Sequence, residues 1–138
     1  MTRFVLDASI ALAWLIDAAT PAYATQVRQL LLAGGRALVP ALWQWEVANG
    51  FVIRERRGLL TPDETAEILW NFESIRQQIE VRQVPISVRH AIDPARKFGL
   101  TAYDAAYLAL AQEEHLPLAT LDDALKRSAK RAGVELLK

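Results

Sequence analysis

Four acidic side chains stand beside apolar segments that lie far apart in the chain. They are Asp7, Glu46, Asp104 and Asp122. Asp7 follows the apolar run 4–6 and Asp122 follows the run 118–121, whereas the other two stand near the starts of predicted helices. Carboxylates gathered in a partly dry site repel each other, by on the order of 4 kcal/mol per pair at roughly 4 Å and an effective dielectric near 20. The simplest group that would hold them together is a divalent metal ion.

The composition limits the classes of protein and site to consider. A chain of 138 residues has the size of one compact domain with its own core, so we expect a single domain over 1–138. The 16 basic and 16 acidic residues balance, so any binding to nucleic acid would depend on local patches. The absence of cysteine excludes disulfides, thiolate zinc sites and cysteine nucleophiles, and it fits a reducing cytoplasm.

The apolar stretch that follows Arg3 superficially resembles a signal peptide. Asp7 interrupts it, and the uninterrupted run 10–16 is too short to cross a bilayer. We interpret the stretch as a core strand followed by a helix, and we expect a cytoplasmic protein without membrane association.

The elements that must position the acids alternate between strands and helices. The predicted strands are 4–6, 37–39, 80–84, 118–120 and 134–136. The predicted helices are 8–16, 20–33, 40–57, 61–77, 87–98, 101–114 and 123–132. Thr61 and Glu64 have the spacing of a capping box at one helix start. This alternation predicts a parallel sheet covered on both faces, a three-layer α/β/α sandwich with a short central sheet.

In such a sheet the carboxyl ends of the strands and the starts of the following helices meet at one edge, where ligands bind. The topology therefore predicts that all four acids lie at one rim. The residues three or four positions from Glu46 on its helix are Leu42, Trp43, Asn49 and Gly50. A carboxylate on such a face is half-buried and must be paired or coordinated.

Simpler structural roles remain open for the individual acids. Asp7 could only cap the helix that follows it. Asp104 could close a capping box with Thr101, and Asp123 could do so with Thr120. These roles would place every acid at one rim only by coincidence, so we favour a shared site.

Motifs for other chemistries are missing from the sequence. It contains neither the glycine-rich dinucleotide motif nor the P-loop motif. His90 and His115 are not spaced as a zinc pair, and Ser9 has neither a G-x-S-x-G context nor an obvious histidine partner. Oxygen ligands without Cys or His favour Mg²⁺ or Mn²⁺.

Four short segments resemble those of PIN-domain ribonucleases, in particular the VapC-like toxins of type II toxin–antitoxin systems. They are FVLDAS at 4–9, EVAN at 46–49, TAYDAAY at 101–107 and LATLD at 118–122. Together, in this order, they span nearly the whole chain. The resemblance implies an endoribonuclease that depends on Mg²⁺ or Mn²⁺ and hydrolyses RNA phosphodiester bonds with a metal-activated water. It also implies a homodimer that a cognate antitoxin protein silences.

The resemblance also assigns roles to individual residues. The implied catalytic and metal-binding acids are Asp7, Glu46, Asp104 and Asp122. The implied supporting polar residues are Ser9, Asn49 and Thr120. Asp123 stands beside Asp122 and could substitute for it or assist it.

Two basic clusters and three tryptophans are candidates for binding RNA and the antitoxin. The basic residues are Arg54, Arg56 and Arg57 in one cluster and Lys126, Arg127, Lys130 and Arg131 in the other. Both clusters are also typical of solvated helix faces. Trp43, Trp45 and Trp70 could form an apolar groove for an antitoxin helix, or could equally serve core or dimer packing.

Two other functions compete with a ribonuclease. One is a phosphatase or phosphotransferase with Asp7 as the nucleophile, although Ala8 and Ser9 leave no D-x-D pattern after it. The other is a non-catalytic interaction module in which the acids are caps and a tryptophan-rich surface binds a partner.

Overall fold

The computed structural model describes residues 1–17, 19–83 and 86–138. Within them the chain forms four strands, β1 (Arg3–Leu6), β2 (Arg36–Pro40), β3 (Ile79–Arg82) and β4 (Leu118–Ala119). The seven helices of the same residues are α1 (Ala8–Leu15), α2 (Ala22–Leu32), α3 (Leu42–Arg56), α4 (Pro62–Arg76), α5 (Val88–Phe98), α6 (Ala102–Glu114) and α7 (Asp123–Arg131).

The strands form one parallel sheet in the order β3-β2-β1-β4. The chain steps from β1 to β2 to β3 in one direction and then returns across the sheet to β4. Because such crossovers are right-handed, α1 to α4 cover one face of the sheet, and α5 and α6 cover the other. Contacts of α1 with α2, α3 and α4, and of α6 with β1, β2 and β4, agree with this division. The predicted three-layer α/β/α sandwich is confirmed.

Burial on both faces explains why β1, β2 and β4 consist mainly of continuous apolar residues, whereas the edge strand β3 is partly exposed and carries charged residues. Phe4, Leu6, Leu38 and Leu118 have no exposed surface. Each such side chain contributes about 1.5–3 kcal/mol by leaving water. This core gives the carboxyl edge of the sheet a rigid base. No helix in the described parts of the chain has both the length and the apolar character needed to cross a bilayer.

Local capping explains where several helices begin and end. The predicted capping box at the start of α4 is formed, because Thr61 Oγ1 accepts from the Glu64 amide while Glu64 Oε1 accepts from the Thr61 amide. Ser87 caps α5 by accepting from the amide of His90. Gly99 ends α5 with φ of 65°, in the left-handed region that glycine adopts without strain.

Two predicted boundaries are wrong near the ends of strands. Pro40 does not begin a helix but is the last residue of β2, opposite Arg82, and α3 begins at Leu42. A proline has no amide hydrogen to donate, so it is tolerated where the strand pairing ends. The predicted third strand, 80–84, begins one residue earlier as β3, and Val84 lies outside the described residues.

The predicted strand 134–136 is also wrong. In the part of the chain that the structure describes, it contributes a single parallel bridge between Leu118 and Leu136. Since β4 has only two residues, it offers too few backbone groups to pair a further strand along its length.

Gly35 marks a place where the backbone passes too close for a side chain. A Cβ atom there would lie 2.7 Å from the carbonyl oxygen of Leu30 and 3.2 Å from that of Thr2. Both are backbone atoms that no rotamer change can move away. We expect Gly35→Ala to lower the free energy of unfolding by about 1–3 kcal/mol in urea denaturation. An unchanged denaturation midpoint would contradict this close approach.

Candidate active site

The acids lie where the order of the strands reverses. The connection that leaves β1 goes to β2 on one side, whereas β4 returns on the other side. The crevice beyond the carboxyl ends of β1 and β4 is the switch point at which open α/β sheets bind ligands. Asp7 directly follows β1, and Asp122 lies three residues beyond β4. Burial is the main cause that raises the pKa of Asp7, and the negative charge of Asp122 adds to the rise, so the two carboxylates interact at this edge.

Asp7 is the buried centre of the site, with only 5% of its surface exposed. Its Oδ2 accepts hydrogen bonds from Ser9 Oγ at 2.6 Å and from Thr120 Oγ1 at 2.7 Å. Burial raises the pKa of Asp7, and the two hydroxyl donors partly oppose that rise. Asp7 precedes α1 at the N-cap position but makes no side-chain capping bond, so a role as a mere cap is wrong.

The two hydroxyl groups also join the ends of β1 and β4. Ser9 Oγ accepts from the amide of Leu121 at 3.1 Å, and Thr120 Oγ1 accepts from the amide of Asp122 at 3.0 Å. Each hydroxyl therefore binds Asp7 and the backbone after β4 at once. Ser9 and Thr120 thus both contact an acid of the cluster, and their supporting roles stay predictions.

The neighbouring acids Asp122 and Asp123 have different surroundings. Asp122 caps α7, because its Oδ1 accepts from the amide of Leu125 at 2.9 Å. Asp123 is exposed and lies 3.8 Å from Lys126 Nζ on the same helix. The capping box predicted between Thr120 and Asp123 is therefore wrong, and Asp123 points to solvent rather than into the crevice.

Glu46 and Asp104 are half-buried and complete the cluster. Burial is the main cause that raises the pKa of each. The charges of Asp7 and Asp104 raise the pKa of Glu46 further, and those of Asp122 and Asp7 raise that of Asp104. Among the described residues no lysine or arginine contributes to these shifts. In the described parts of the chain, the four acids thus interact at one edge without a cationic side chain that offsets their repulsion.

Asp104 belongs to the acid cluster and also takes part in the cap of α6. Thr101 caps α6 by accepting from the Asp104 amide at 3.1 Å. Because the backbone of Asp104 makes this bond, its carboxylate can interact with the other acids. The alternative prediction gave Asp104 only a capping role, and that role does not explain the interaction of its carboxylate with the other acids.

Tyr107 is a site residue to which the sequence analysis assigned no role. Its side chain is fully buried, and its hydroxyl donates to Glu46 Oε1 at 2.5 Å. Burial, followed by the bond to Glu46 and the negative charges of Glu46 and Asp7, raises the pKa of Tyr107 far above its usual range. A usable signal was present, since Tyr107 follows Asp104 by three positions and so faces the same side of α6.

Asn49, the remaining predicted supporting residue, is exposed on α3. Within the described parts of the chain no hydrogen bond links its side chain to an acid. Its supporting role stays a prediction.

The donor chemistry of the cluster fits a hard divalent cation, since carboxylate and hydroxyl oxygens predominate and no described lysine or arginine competes for them. In the described ranges, however, no three acidic or histidine side chains are arranged so that they could hold one ion as they stand. A shared ion therefore requires some of these carboxylates to rotate toward one another. The residues with which it would interact are the four clustered acids, Asp7, Glu46, Asp104 and Asp122.

The predicted binding surfaces are only partly as expected. Arg54 is not a free cation, because it lies 3.8 Å from Asp17 and donates to the carbonyl of Gly50. Trp43 is buried and packs against Phe72, so it belongs to the core. Trp45 and Trp70 are each 80% exposed, so the three tryptophans do not line one common groove.

Comparisons with known proteins agree with this architecture. A family model described as PIN domain matches residues 4–131. Ribonuclease VapC3 of Pyrobaculum aerophilum is 38% identical over 78 residues, which are 56% of this chain and 60% of that protein. The match thus spans less than two thirds of the length of that relative.

Two crystal structures share the fold at low sequence identity. PAE2754 from Pyrobaculum aerophilum has a TM-score of 0.66 at 21% identity, covering 92% of this chain and 84% of its own. FitAcB from Neisseria gonorrhoeae has a TM-score of 0.66 at 17% identity, and the match covers 98% of this chain and 96% of the FitAcB chain.

Removal of one buried charge should change how stability depends on pH. Because its folded-state pKa is raised, Asp7 binds protons more readily in the folded than in the unfolded chain above about pH 4. Stability is therefore lost as pH rises through that raised pKa. In EDTA, we expect wild type to lose stability relative to Asp7→Asn as pH rises from about 4, the ordinary pKa of an aspartate, through the raised pKa of Asp7. Urea denaturation at a series of pH values measures this, with the exposed Asp123→Asn as control. Equal pH dependence in wild type and Asp7→Asn would contradict the burial of a charged group here.

Proposed function

The chain belongs to the PIN domain family, as the sequence resemblance predicted, and we propose that it is a divalent-metal-dependent endoribonuclease. The observation that carries this proposal is the cluster of four carboxylates. Burial and the charges of neighbouring acids raise the pKa values of Asp7, Glu46 and Asp104, and no cationic side chain among the described residues opposes this. The similarity to a ribonuclease over 78 residues supports RNA as the substrate.

In this proposal Asp7, Glu46, Asp104 and Asp122 hold the ion. When bound, Mg²⁺ or Mn²⁺ supplies positive charge against the phosphate and lowers the pKa of water, which is the chemistry that phosphodiester hydrolysis needs. Ser9 and Thr120 fix the orientation of the Asp7 carboxylate through its Oδ2. Glu46 and Asp104 are only half-buried, so a substrate could reach them.

Two helix N-termini also favour phosphate binding at this edge. Asp104 lies in the first turn of α6, and Asp122 precedes α7 at its N-cap. Helix N-termini stabilise nearby negative charge, whether it belongs to a carboxylate or to a phosphate. Attack of water on phosphorus with departure of the 3′ oxygen would leave a 5′-phosphate end and a 3′-hydroxyl end.

We further propose that the protein is the toxin of a toxin–antitoxin pair, acts in the cytoplasm and forms a homodimer. The similarity to Ribonuclease VapC3 supports the role as a toxin. The exposed Trp45 and Trp70 are candidates for contact with an antitoxin or a second subunit. Of the basic residues, Arg127 and Lys130 are exposed on α7 and are candidates for contact with RNA phosphates.

Neither competing function gains support from the geometry. A nucleophilic Asp7 needs access to a phosphoryl group, but this side chain is buried and Oδ2 is held by two hydroxyls. An interaction module whose acids are only caps does not explain Asp7, which makes no capping bond.

We expect the purified protein to cleave single-stranded or loop RNA in Mg²⁺ or Mn²⁺ and to stop when EDTA is added. Asp7→Asn and Asp104→Asn should each lower kcat/KM by about 10²-fold or more, the scale for loss of a key electrostatic group. The measurement is the rate of cleavage of end-labelled RNA, with sequencing of the new ends to locate the cut.

Asp123→Asn is the matched control for these variants, because the residue is exposed beside Asp122. It should keep its rate within about threefold of wild type. Near-wild-type cleavage by purified Asp7→Asn or Asp104→Asn would show that the activity does not come from this cluster.

The toxin assignment has a separate test in living cells. Expression of wild type should arrest growth, and co-expression of a small neighbouring antitoxin gene should relieve the arrest. Asp7→Asn should permit growth, because it removes the catalytic charge without removing the protein. Growth curves with matched protein levels measure this. Equal arrest by both forms would separate the toxicity from RNA cleavage and defeat the assignment.

A further inference from the structure

We propose that Tyr107 is a positioning residue whose hydroxyl holds Glu46 in the acid cluster. This inference rests on the proposed function, because it concerns the same site. It adds a fifth residue, a neutral donor, to the set of four acids.

The bond between the two residues joins the two helix layers. Glu46 belongs to α3 on one face of the sheet, and Tyr107 belongs to α6 on the other face. They are 61 residues apart in the chain, and the hydroxyl reaches Glu46 Oε1 at 2.5 Å. A distance this short is typical of a hydrogen bond from a hydroxyl to an ionised carboxylate. The acid contributed by one layer is thus held by the other layer.

Glu46 needs such a restraint. It is half-buried, it is a long and flexible side chain, and the charges of Asp7 and Asp104 repel it. With no lysine or arginine of the described residues acting on it, rotation toward solvent would relieve this repulsion. The hydroxyl of Tyr107 opposes that rotation, and as a neutral group it does so without neutralising the cluster.

Packing alone does not account for a tyrosine at this position. The ring is fully buried, and a phenylalanine ring would fill the same space without a polar atom. A buried hydroxyl needs a partner, and here the partner is one of the four acids. The bond to Tyr107 uses Glu46 Oε1, so Oε2 would remain available to a cation or to a substrate.

Tyr23 supplies a matched control. Its hydroxyl also makes one short hydrogen bond, at 2.6 Å, but to the backbone carbonyl of Leu137 instead of to an acid. Tyr23→Phe and Tyr107→Phe therefore each delete one hydroxyl and one hydrogen bond. Only the second deletion removes a restraint on the cluster.

The test measures Mn²⁺ binding by calorimetry without RNA, followed by the kinetics of RNA cleavage. We expect Tyr107→Phe to weaken Mn²⁺ binding about tenfold, the scale of one hydrogen bond to a charged group. It should also lower kcat while leaving KM for RNA nearly unchanged. Tyr23→Phe should leave both properties near wild type. In a Glu46→Gln background, Tyr107→Phe should cause no further loss, because the two residues act as one unit.

Wild-type Mn²⁺ affinity in Tyr107→Phe, or equal losses in both phenylalanine variants, would overturn the inference. If Tyr107→Phe does not fold, Glu46→Asp carries the test, because it keeps the carboxylate but shortens its reach to Tyr107. Wild-type affinity in that variant would equally overturn the inference. If the wild-type protein binds no Mn²⁺, both the role inferred for Tyr107 and the proposed metal site are overturned. Wild-type protein that binds Mn²⁺ but cleaves no RNA would defeat only the proposed function.

Discussion

The repulsion among carboxylates gathered at one edge of the sheet is the constraint on which the site depends. Asp7 is almost fully buried, and the charges of three further acids meet around it. Among the described residues, hydroxyl donors and helix N-termini offset this repulsion, whereas lysine and arginine do not contribute. Such groups stabilise negative charge but leave the net charge of the cluster intact. A cluster that stays negative would attract a positive ligand more strongly than one neutralised by a salt bridge.

The fold makes this arrangement mechanically possible. Parallel strands buried on both faces deliver Asp7 and Asp122 to the switch point, and each helix layer adds one acid from close to a helix start. Ser9 and Thr120 then tie the end of β1 to the chain after β4. The acids are therefore fixed relative to one another by the same contacts that close the sheet.

Much of this arrangement was predictable because it follows from periodicity and topology. Apolar runs located the strands, the Thr61 cap and Gly99 bounded helices, and the parallel topology brought the acids to one rim. The Tyr107–Glu46 bond was not predictable in this way, since it joins two helices 61 residues apart and depends on how their layers are packed. Nor could spacing choose between Asp122 and Asp123, because the capping geometry of α7 decides which one turns inward. The prediction of a strand at 134–136 was wrong because the hydrophobic pattern of these residues does not indicate how short the neighbouring strand β4 is.

The hydrogen bond between Thr120 and Asp7 has a consequence for biosynthesis. The two residues are 113 positions apart, and β4 pairs beside β1 only when both are present. Contacts of such long separation form late in folding, because the intervening chain must first be closed into a loop. A ribosome-bound chain that has not yet exposed Thr120 carries only a partial acid cluster. The acid cluster is thus completed only after the chain as far as Asp122 has left the ribosome.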